Sequence, residues 1–291
     1  MTELVRNACS FLFVPASRPE RLAKALASGA DMVIADWEDA VAPADKPAAR
    51  QALEQAGTHL SPAQRARLLV RINAFGTPWF DDDVAALARL VARGACGAVV
   101  SKAEDPQVLA RVACAAGPAC ALLPLVESLA GLDAVDALAR APQVARLAFG
   151  HLDFQVDTGL RCGPREDELL PVRTALVFAS RRAGLAAPVD GVTVDTQEMQ
   201  HTAADTQRAL RLGFGAKLCI HPAQVAAVHG VFAPDAQSVE RARAVLRAMQ
   251  DAQGGVCVLD GRMVDAPVLR LAEQTLARDA WARQRGGRAL A

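Results

Sequence analysis

Short apolar runs recur along the chain, and each is followed by a longer Ala-, Leu- and Arg-rich segment with helical periodicity. Alternating strands and helices of this kind indicate repeated βα units. Strands that are apolar on both faces are expected in a parallel sheet covered by helices. Eight strands are predicted, at Phe11–Pro15, Met32–Asp36, Leu68–Asn73, Ala98–Ser101, Leu122–Glu127, Arg146–Phe149, Val189–Val192 and Lys217–His221.

The segments between these strands predict the helices of the same units. Eight consecutive βα units allow a parallel sheet to close on itself. We therefore predict an α/β fold, a (β/α)₈ TIM barrel over residues 1–230, with an open doubly wound sheet as the alternative. The predicted helices are Pro19–Ala27, Lys46–Gln55, Asp81–Arg93, Pro106–Ala115, Gly131–Arg140, Glu166–Ala183 and Thr196–Leu212.

The βα pattern stops after Ile220, and the remaining chain differs from the units before it. A helix is predicted near Ser238–Gln250, followed by the Gly254-Gly255 break, a short apolar piece ending at Asp260-Gly261, and a last helix from Pro267. We predict that residues 231–291 form a C-terminal helical extension or lid. It could pack on the barrel, cover its mouth or reach a neighbouring subunit.

Composition narrows the class of protein. The chain has 291 residues, 52% of them hydrophobic, and its 32 Lys and Arg balance 32 Asp and Glu. No basic stripe is present, so nucleic acid is not an expected partner. The seven cysteines form no C-x-x-C pair, and no signal peptide or membrane-length apolar run occurs. These features predict a cytoplasmic protein with reduced thiols and no membrane partner.

Two acids stand at the ends of neighbouring predicted strands, where barrel enzymes place their active sites. Glu127 ends the fifth strand, and Asp153 follows the sixth. Two carboxylates close together, without a His or Cys cluster, favour a hard cation such as Mg²⁺, with Mn²⁺ as a substitute. The alternative is that each acid caps a helix or pairs with an arginine.

Arg71 lies inside the third predicted strand, where a buried guanidinium needs an anionic partner. It could pair with Asp36 or Glu38, or it could bind a substrate carboxylate or a developing oxyanion. The run Asp36-Trp37-Glu38-Asp39 could be a solvated loop, a helix cap or a holder of metal-bound water. His221 and His151 could each be structural groups or ligands.

Several short motifs occur in a specific order along the chain. Together they resemble the citrate lyase β-subunit-like family of the HpcH/HpaI aldolase/citrate lyase superfamily, from about residue 10 to 275. The motifs are Phe11-Leu12-Phe13-Val14-Pro15, Ser17-Arg18-Pro19-Glu20-Arg21, Gly29-Ala30-Asp31, residues 36–43, Val70-Arg71-Ile72-Asn73, Leu125-Val126-Glu127-Ser128, Gly150-His151-Leu152-Asp153 and Ile220-His221-Pro222-Ala223-Gln224.

This resemblance implies a Mg²⁺-dependent barrel enzyme of the citryl-, malyl- and citramalyl-CoA lyase group, which forms a homotrimer or a hexamer of trimers. By the same resemblance, Glu127 and Asp153 hold the metal, and Arg71 binds the substrate. Asp36, Glu38 and Asp39 form an outer acidic loop. Phe13, Arg18 and Lys24 contact coenzyme A, and the His221-Pro222 turn lines the same cleft.

The tail contains a further motif of the family, Asp260-Gly261-Arg262-Met263-Val264-Asp265-Ala266-Pro267. The resemblance implies that its acid, Asp265, reaches the active site of an adjacent subunit. The alternative is that Asp265 caps the helix that follows it, and the two roles are compatible.

The expected function is cleavage of a 3-hydroxy-3-carboxyacyl-CoA to acetyl-CoA and a 2-oxo acid, with a small acyl-CoA or a 2-oxo acid as the bound partner. The alternatives are a malyl-CoA thioesterase, a CoA-independent pyruvate aldolase and a non-catalytic subunit that presents substrate. Three departures from the family pattern, at Trp37, His151 and Ser101-Lys102, bear on the substrate.

Overall fold

Eight parallel strands close into a barrel in sequence order in the computed structural model, which describes residues 2–253 and 255–289. Pairing of β1 with β8 completes the closure, so the TIM-barrel prediction is confirmed and the open sheet is excluded. The strands are β1 (Ser10–Pro15), β2 (Met32–Asp36), β3 (Leu68–Ile72), β4 (Gly97–Val100), β5 (Ala121–Val126), β6 (Ala148–Phe149), β7 (Val189–Asp190) and β8 (Ala216–Cys219).

Helices follow the strands around the barrel and continue beyond it. Within the described residues, none is long and apolar enough to cross a membrane. They are α1 (Thr2–Asn7), α2 (Pro19–Ala27), α3 (Lys46–His59), α4 (Pro62–Arg65), α5 (Phe80–Ala92), α6 (Pro106–Ala116), α7 (Leu129–Asp133), α8 (Val135–Ala139), α9 (His151–Thr158), α10 (Leu170–Arg182), α11 (Met199–Leu212), α12 (Pro222–Phe232), α13 (Ala236–Asp251) and α14 (Ala266–Ala289).

The barrel interior is filled with apolar side chains from alternate strand positions, as closure of an eight-stranded barrel requires. Phe11, Ile34, Leu69 and Leu123 are fully buried in this cluster. The interior becomes polar toward the carboxyl ends, where Asp36 ends β2 and Arg71 lies on β3, paired with it in register. The packed core therefore ends in a layer of charged groups.

Four predicted helices are wrong in detail. Helix α3 continues to His59, four residues beyond its predicted end at Gln55, and α11 begins at Met199 rather than Thr196. The segment predicted as one helix at Gly131–Arg140 is two short helices, α7 and α8, which meet at Ala134. The first begins early because the Ser128 side chain accepts a hydrogen bond from the Gly131 N–H. The helix predicted from Glu166 begins at Leu170 instead, because Glu166 has a left-handed backbone with φ of 50°.

The chain divides into two compact units, one up to Val228 and one from His229 onward. The second unit has its own core, formed by α13, α14 and a hairpin of β9 (Cys257–Leu259) and β10 (Arg262–Val264). Asp260 and Gly261 turn the hairpin with φ of 50° and 72°, the conformation that Asp-Gly favours. The sequence predicted the two helices of this unit but not the hairpin.

Candidate active site

A cavity of about 390 Å³ opens at the carboxyl ends of the barrel strands. Seven residues that the sequence analysis singled out line it: Phe13, Asp36, Asp39, Arg71, Glu127, His151 and Asp153. They come from five different βα units, and strand order brings them together. This is the face of the barrel on which TIM-barrel enzymes place their catalytic groups.

Glu127 directly follows β5 and is buried, with 3% of its surface exposed. Its Oε1 accepts a hydrogen bond of 2.7 Å from the Lys102 N–H. Lys102 has a left-handed backbone, with φ of 44°. Burial raises the pKa of Glu127 to about 8, the neighbouring charges of Glu38 and Asp153 act in the same direction, and the Lys102 N–H opposes them. The Arg71 charge also opposes the shift, but the pKa remains raised, and the hydrogen bond from Lys102 holds the carboxyl in place.

Asp153 lies in the first turn of α9, which the sequence did not predict as a helix. Strands β5 and β6 are paired through Val126 and Phe149, so the segments that carry the two acids leave the barrel side by side. Gly150 lies between them, and a Cβ there would come within 2.4 Å of Glu127 Oε2. The absence of a side chain at this position lets Asp153 and Glu127 share one cavity.

Arg71 is surrounded by carboxylates. Its Nε and Nη2 donate to the two oxygens of Asp36 at 2.7 and 2.6 Å. Its Nη1 lies 2.9 Å from Glu38 and 3.1 Å from Asp39. The Phe13 ring lies 4.9 Å from the guanidinium carbon. The structural ion pair with Asp36 or Glu38 is therefore present, and Arg71 also faces the cavity.

Glu38 is the second acid with a raised pKa. Burial raises its pKa to about 7, while Arg71 and the Ser101 hydroxyl oppose the shift. The Ser101 hydroxyl lies 2.7 Å from Glu38 Oε2. Below this loop, the buried Lys46 ammonium donates to the carbonyls of Trp37 and Glu38. The acidic run is thus held in place at Asp36 and Glu38, while Asp39 is exposed to solvent and Trp37 is fully buried.

The charges that line the cavity do not balance. Four carboxylates face it, from Asp36, Asp39, Glu127 and Asp153, and Arg71 is the one arginine or lysine among the lining residues that the structure describes. Because Arg71 already pairs with Asp36 and Asp39, Glu127 and Asp153 have no cation of their own. An all-oxygen donor set with excess negative charge, in which Asp36 and Glu127 are buried and Asp153 is partly buried, fits a hard divalent cation such as Mg²⁺.

Sequence reasoning missed the groups that surround His151. The His151 ring is buried and lines the cavity, with Nε2 3.3 Å from Glu166 Oε1. Glu166 also accepts hydrogen bonds from Arg173 on α10 and Arg208 on α11. No spacing rule connects these residues, because Glu166 lies in an irregular loop and its partners are on later helices. The sequence pointed to this part of the site only through His151, which departs from the family pattern.

The residues expected to contact coenzyme A belong to two neighbouring βα units, those of β1 and β8. Phe13 is on β1 and lines the cavity. Four others are exposed outside the cavity. Arg18 is the N-cap residue of α2, Lys24 lies in the last turn of α2, and His221 and Pro222 lie at the start of α12. These helices follow β1 and β8, which are paired. His221 Nδ1 accepts a hydrogen bond from the Ala223 N–H.

Asp265 lies in the second unit and precedes α14. Its Oδ1 accepts a hydrogen bond of 3.2 Å from the Val268 N–H, and its carbonyl accepts one from the Leu269 N–H. This is the geometry of a helix N-cap. The capping role is therefore present in the structure.

Comparison with known proteins agrees with this architecture. The model of the HpcH/HpaI aldolase/citrate lyase family matches residues 9–222. The chain belongs to this family. A citrate lyase subunit beta-like protein of Deinococcus radiodurans is 34% identical over 280 residues, which cover 93% of this chain and 97% of that protein. The resemblance seen in the motifs is thereby confirmed, and membership supports a lyase of the aldolase and citrate lyase type.

The chain is also similar to a relative named for its substrate and to a solved structure named for its bound molecules. The L-malyl-CoA/beta-methylmalyl-CoA lyase of Rhodobacter capsulatus is 31% identical over 297 residues and covers 92% of each chain. The crystal structure of CitE from Mycobacterium tuberculosis, in complex with magnesium, acetoacetate and coenzyme A, is similar with a TM-score of 0.79. It is 34% identical, and the alignment covers 94% of this chain and 99% of that one.

Proposed function

We propose that this protein is a Mg²⁺-dependent lyase that cleaves a 3-hydroxy-3-carboxyacyl-CoA, of the malyl-, citramalyl- or citryl-CoA type, to acetyl-CoA and a 2-oxo acid. The observation that carries the proposal is the placement of Glu127 and Asp153 around one cavity with Arg71 beside them. The malyl-CoA lyase and the CitE complex, both of this family, support a CoA ester and a divalent metal.

Glu127 and Asp153 would hold the metal, with Mn²⁺ able to replace Mg²⁺. Bound there, it would supply Lewis acidity to the hydroxyl and the adjacent carboxylate of the substrate. Glu127 is suited to bind the positively charged metal because its carboxylate is buried and one of its oxygens is held by the Lys102 N–H. A raised pKa is expected for a buried carboxyl group before it binds a metal cation, and Glu127 has this property.

Arg71 would stabilise the negative charge that develops as the carbon–carbon bond breaks. Its bidentate contact with Asp36 holds the guanidinium plane in a fixed orientation, and Phe13 packs against its face. Glu38 and Asp39 complete the acidic loop around it. A preorganised cation of this kind needs no rearrangement during the reaction.

During cleavage the substrate hydroxyl loses its proton and becomes the carbonyl of the 2-oxo acid. The electron pair of the broken bond stays on the thioester product, which takes up a proton to become acetyl-CoA, so no net proton is consumed. We assign this proton to Asp265 of a neighbouring subunit in a homotrimer or a hexamer of trimers. Asp265→Asn should keep the helix cap, since Asn is an equally good N-cap, and should lower turnover. Co-assembly of Asp265→Asn with Glu127→Gln chains should restore part of the activity if the two residues act across subunits.

Coenzyme A would lie along the β1 and β8 side of the rim. Arg18 and Lys24 are exposed cations on α2 that suit the phosphate groups of the cofactor. The His221-Pro222 turn lies beside them, because β8 is next to β1. Phe13 would then lie between the coenzyme A side and the metal acids. This side of the rim argues for a CoA ester rather than a free 2-oxo acid as substrate.

Product analysis tests the proposal. Purified protein with Mg²⁺ is incubated with malyl-, citramalyl- and citryl-CoA, and the products are separated by liquid chromatography. The proposal expects acetyl-CoA together with glyoxylate, pyruvate or oxaloacetate in equal amounts. Free coenzyme A with the intact hydroxy acid would indicate a thioesterase, and turnover of free hydroxy acids would indicate a CoA-independent aldolase. No turnover of any ester would favour a non-catalytic subunit.

A further inference from the structure

The His151 side chain occupies a position next to the two proposed metal ligands. It follows Gly150, which packs against Glu127, and precedes Asp153 by two residues. Only 2% of its surface is exposed, and its ring forms part of the cavity lining. The imidazole therefore takes up space that would otherwise belong to the cavity beside the metal acids.

Three contacts hold the ring in this position. Its Nε2 lies 3.3 Å from Glu166 Oε1. A Cβ on Gly191 would come within 2.2 Å of Nδ1, so the ring packs where the side chain of residue 191 would be. The Phe149 ring lies 6.2 Å away, centroid to centroid. Close packing on three sides leaves the ring little room to move away from a larger ligand.

Glu166 is itself fixed, so the contact with His151 is more than a loose surface pair. Arg173 donates to its Oε2, and Arg208 donates to the same oxygen at 2.9 Å. Arg173 is buried and is held in turn by Asp190, at 2.9 Å. Arg173 on α10 and Arg208 on α11 thus fix Glu166, and Glu166 in turn holds the His151 ring.

The rest of the lining near His151 offers no partner for a second substrate charge. Leu125, Phe149, Val192 and Leu218 are apolar. Arg71 is the one arginine or lysine in the described lining, and the proposed function already uses it for the charge that develops in the reaction. A buried carboxylate without a cation is strongly unfavourable. The space beside the metal acids therefore suits a small, uncharged group.

We propose that His151, held by Glu166 and Gly191, is a specificity-determining residue that limits the group on the reacting carbon to a hydrogen or a methyl. The inference rests on the proposed function for one point, the binding of the substrate hydroxyl and carboxylate at Glu127 and Asp153. The reacting carbon also carries the group that distinguishes these esters. Because His151 lies two residues before Asp153 and lines the same cavity, we place that group against the His151 ring. The substrate is thereby a malyl- or citramalyl-type ester, and the charged carboxymethyl group of a citryl ester is rejected.

Binding of free 2-oxo acids tests this without requiring turnover. Glyoxylate, pyruvate, 2-oxobutanoate, 2-oxopentanoate and oxaloacetate are titrated into the protein with saturating Mg²⁺ by calorimetry. The wild type should bind pyruvate at least about tenfold more tightly than 2-oxopentanoate, since unfilled or excess methylene groups have effects of this size. Oxaloacetate should bind more weakly than pyruvate by a similar factor.

Two variants and a control locate the effect. His151→Ala removes the ring, and His151→Asn keeps a donor that can face Glu166 while removing bulk. Both should reduce the preference for pyruvate over 2-oxopentanoate to within about threefold. Val156→Ala shortens a side chain on the same helix that is 84% exposed and is not among the residues that line the cavity, and it should leave the preference unchanged.

The outcomes separate this inference from the proposed function. The inference would be overturned by an unchanged preference in His151→Asn or by an equal effect of Val156→Ala. A wild type that binds large and small 2-oxo acids equally, or binds none, would also overturn it. A preference that depends on His151, in a protein that cleaves no CoA ester, would support the inference and refute the lyase activity.

Discussion

The backbone of Gly150 packs directly against the Glu127 carboxylate, and a methyl group on Gly150 would lie 2.4 Å from Oε2. Gly150→Ala should therefore displace Glu127 or Asp153 and weaken Mg²⁺ binding by at least about tenfold, because metal affinity depends on closely fixed ligands. Calorimetric titration with Mg²⁺ measures the effect. Gly163→Ala is the matched control, since its added methyl group would meet nothing closer than 3.7 Å. Equal affinities of the two variants would contradict this account of the site.

The ligand assignment predicts that Glu127→Gln and Asp153→Asn each abolish measurable Mg²⁺ binding while the barrel stays folded. Each variant keeps the shape of the side chain and removes the charge that a hard cation requires. Asp157→Asn, on the same helix as Asp153, is the matched control, because Asp157 only accepts a hydrogen bond from the Leu129 N–H. Retained Mg²⁺ affinity in either ligand variant would refute the assignment of that residue.

The raised pKa of Glu127, about 8, predicts a pH dependence of the metal-free protein. Because the folded pKa lies above the ordinary value of 4.5, the contribution of this group to stability is fully present at low pH and is lost as pH rises through 8. The melting temperature without metal should fall between pH 6 and pH 9, and less in Glu127→Gln. Mg²⁺ should bind more tightly at pH 9 than at pH 6, since binding displaces the proton. A melting temperature of Glu127→Gln that falls as steeply as the wild type's would contradict the prediction.

Arg71 and Asp36 form a buried bidentate ion pair, which predicts strong coupling in a double-mutant cycle. Arg71→Leu or Asp36→Asn alone should each lower the free energy of unfolding by roughly 3–5 kcal/mol, because each leaves buried charges without their partner. The double variant should lose clearly less than the sum, as expected for residues in direct contact. Chemical denaturation measures all four proteins. Additive losses would show that the pair does not act as a unit.

The fold was predictable from the sequence because its signal is local and repeated. Both ends of every predicted barrel strand lie within two residues of the observed ends. The prediction is this close because a buried parallel strand is a continuous apolar run. The broken helix α7–α8 was not foreseen, because the Ser128 cap that starts the first helix has no counterpart in hydrophobic periodicity. The β9–β10 hairpin had a signal, the Asp260-Gly261 turn, that was not used.

The sequence predicted those site residues that lie at the carboxyl ends of the barrel strands, where barrel enzymes place their active sites. That rule about strand ends brought Glu127, Asp153 and Arg71 into one cavity. It could not find Glu166, whose left-handed backbone and three cationic or imidazole partners arise only in the folded chain. Nor could it predict that Trp37 is buried away from the cavity while His151 lines it.

Metal-dependent cleavage tests the central claim most directly. Protein freed of metal by a chelator is incubated with citramalyl- or malyl-CoA, and acetyl-CoA is followed before and after addition of Mg²⁺, with Asp153→Asn and Asp157→Asn assayed in parallel. We predict no acetyl-CoA from the metal-free protein, prompt formation on adding Mg²⁺ in the wild type and Asp157→Asn, and none in Asp153→Asn. Acetyl-CoA formed without metal, or at the wild-type rate by Asp153→Asn, would contradict the account.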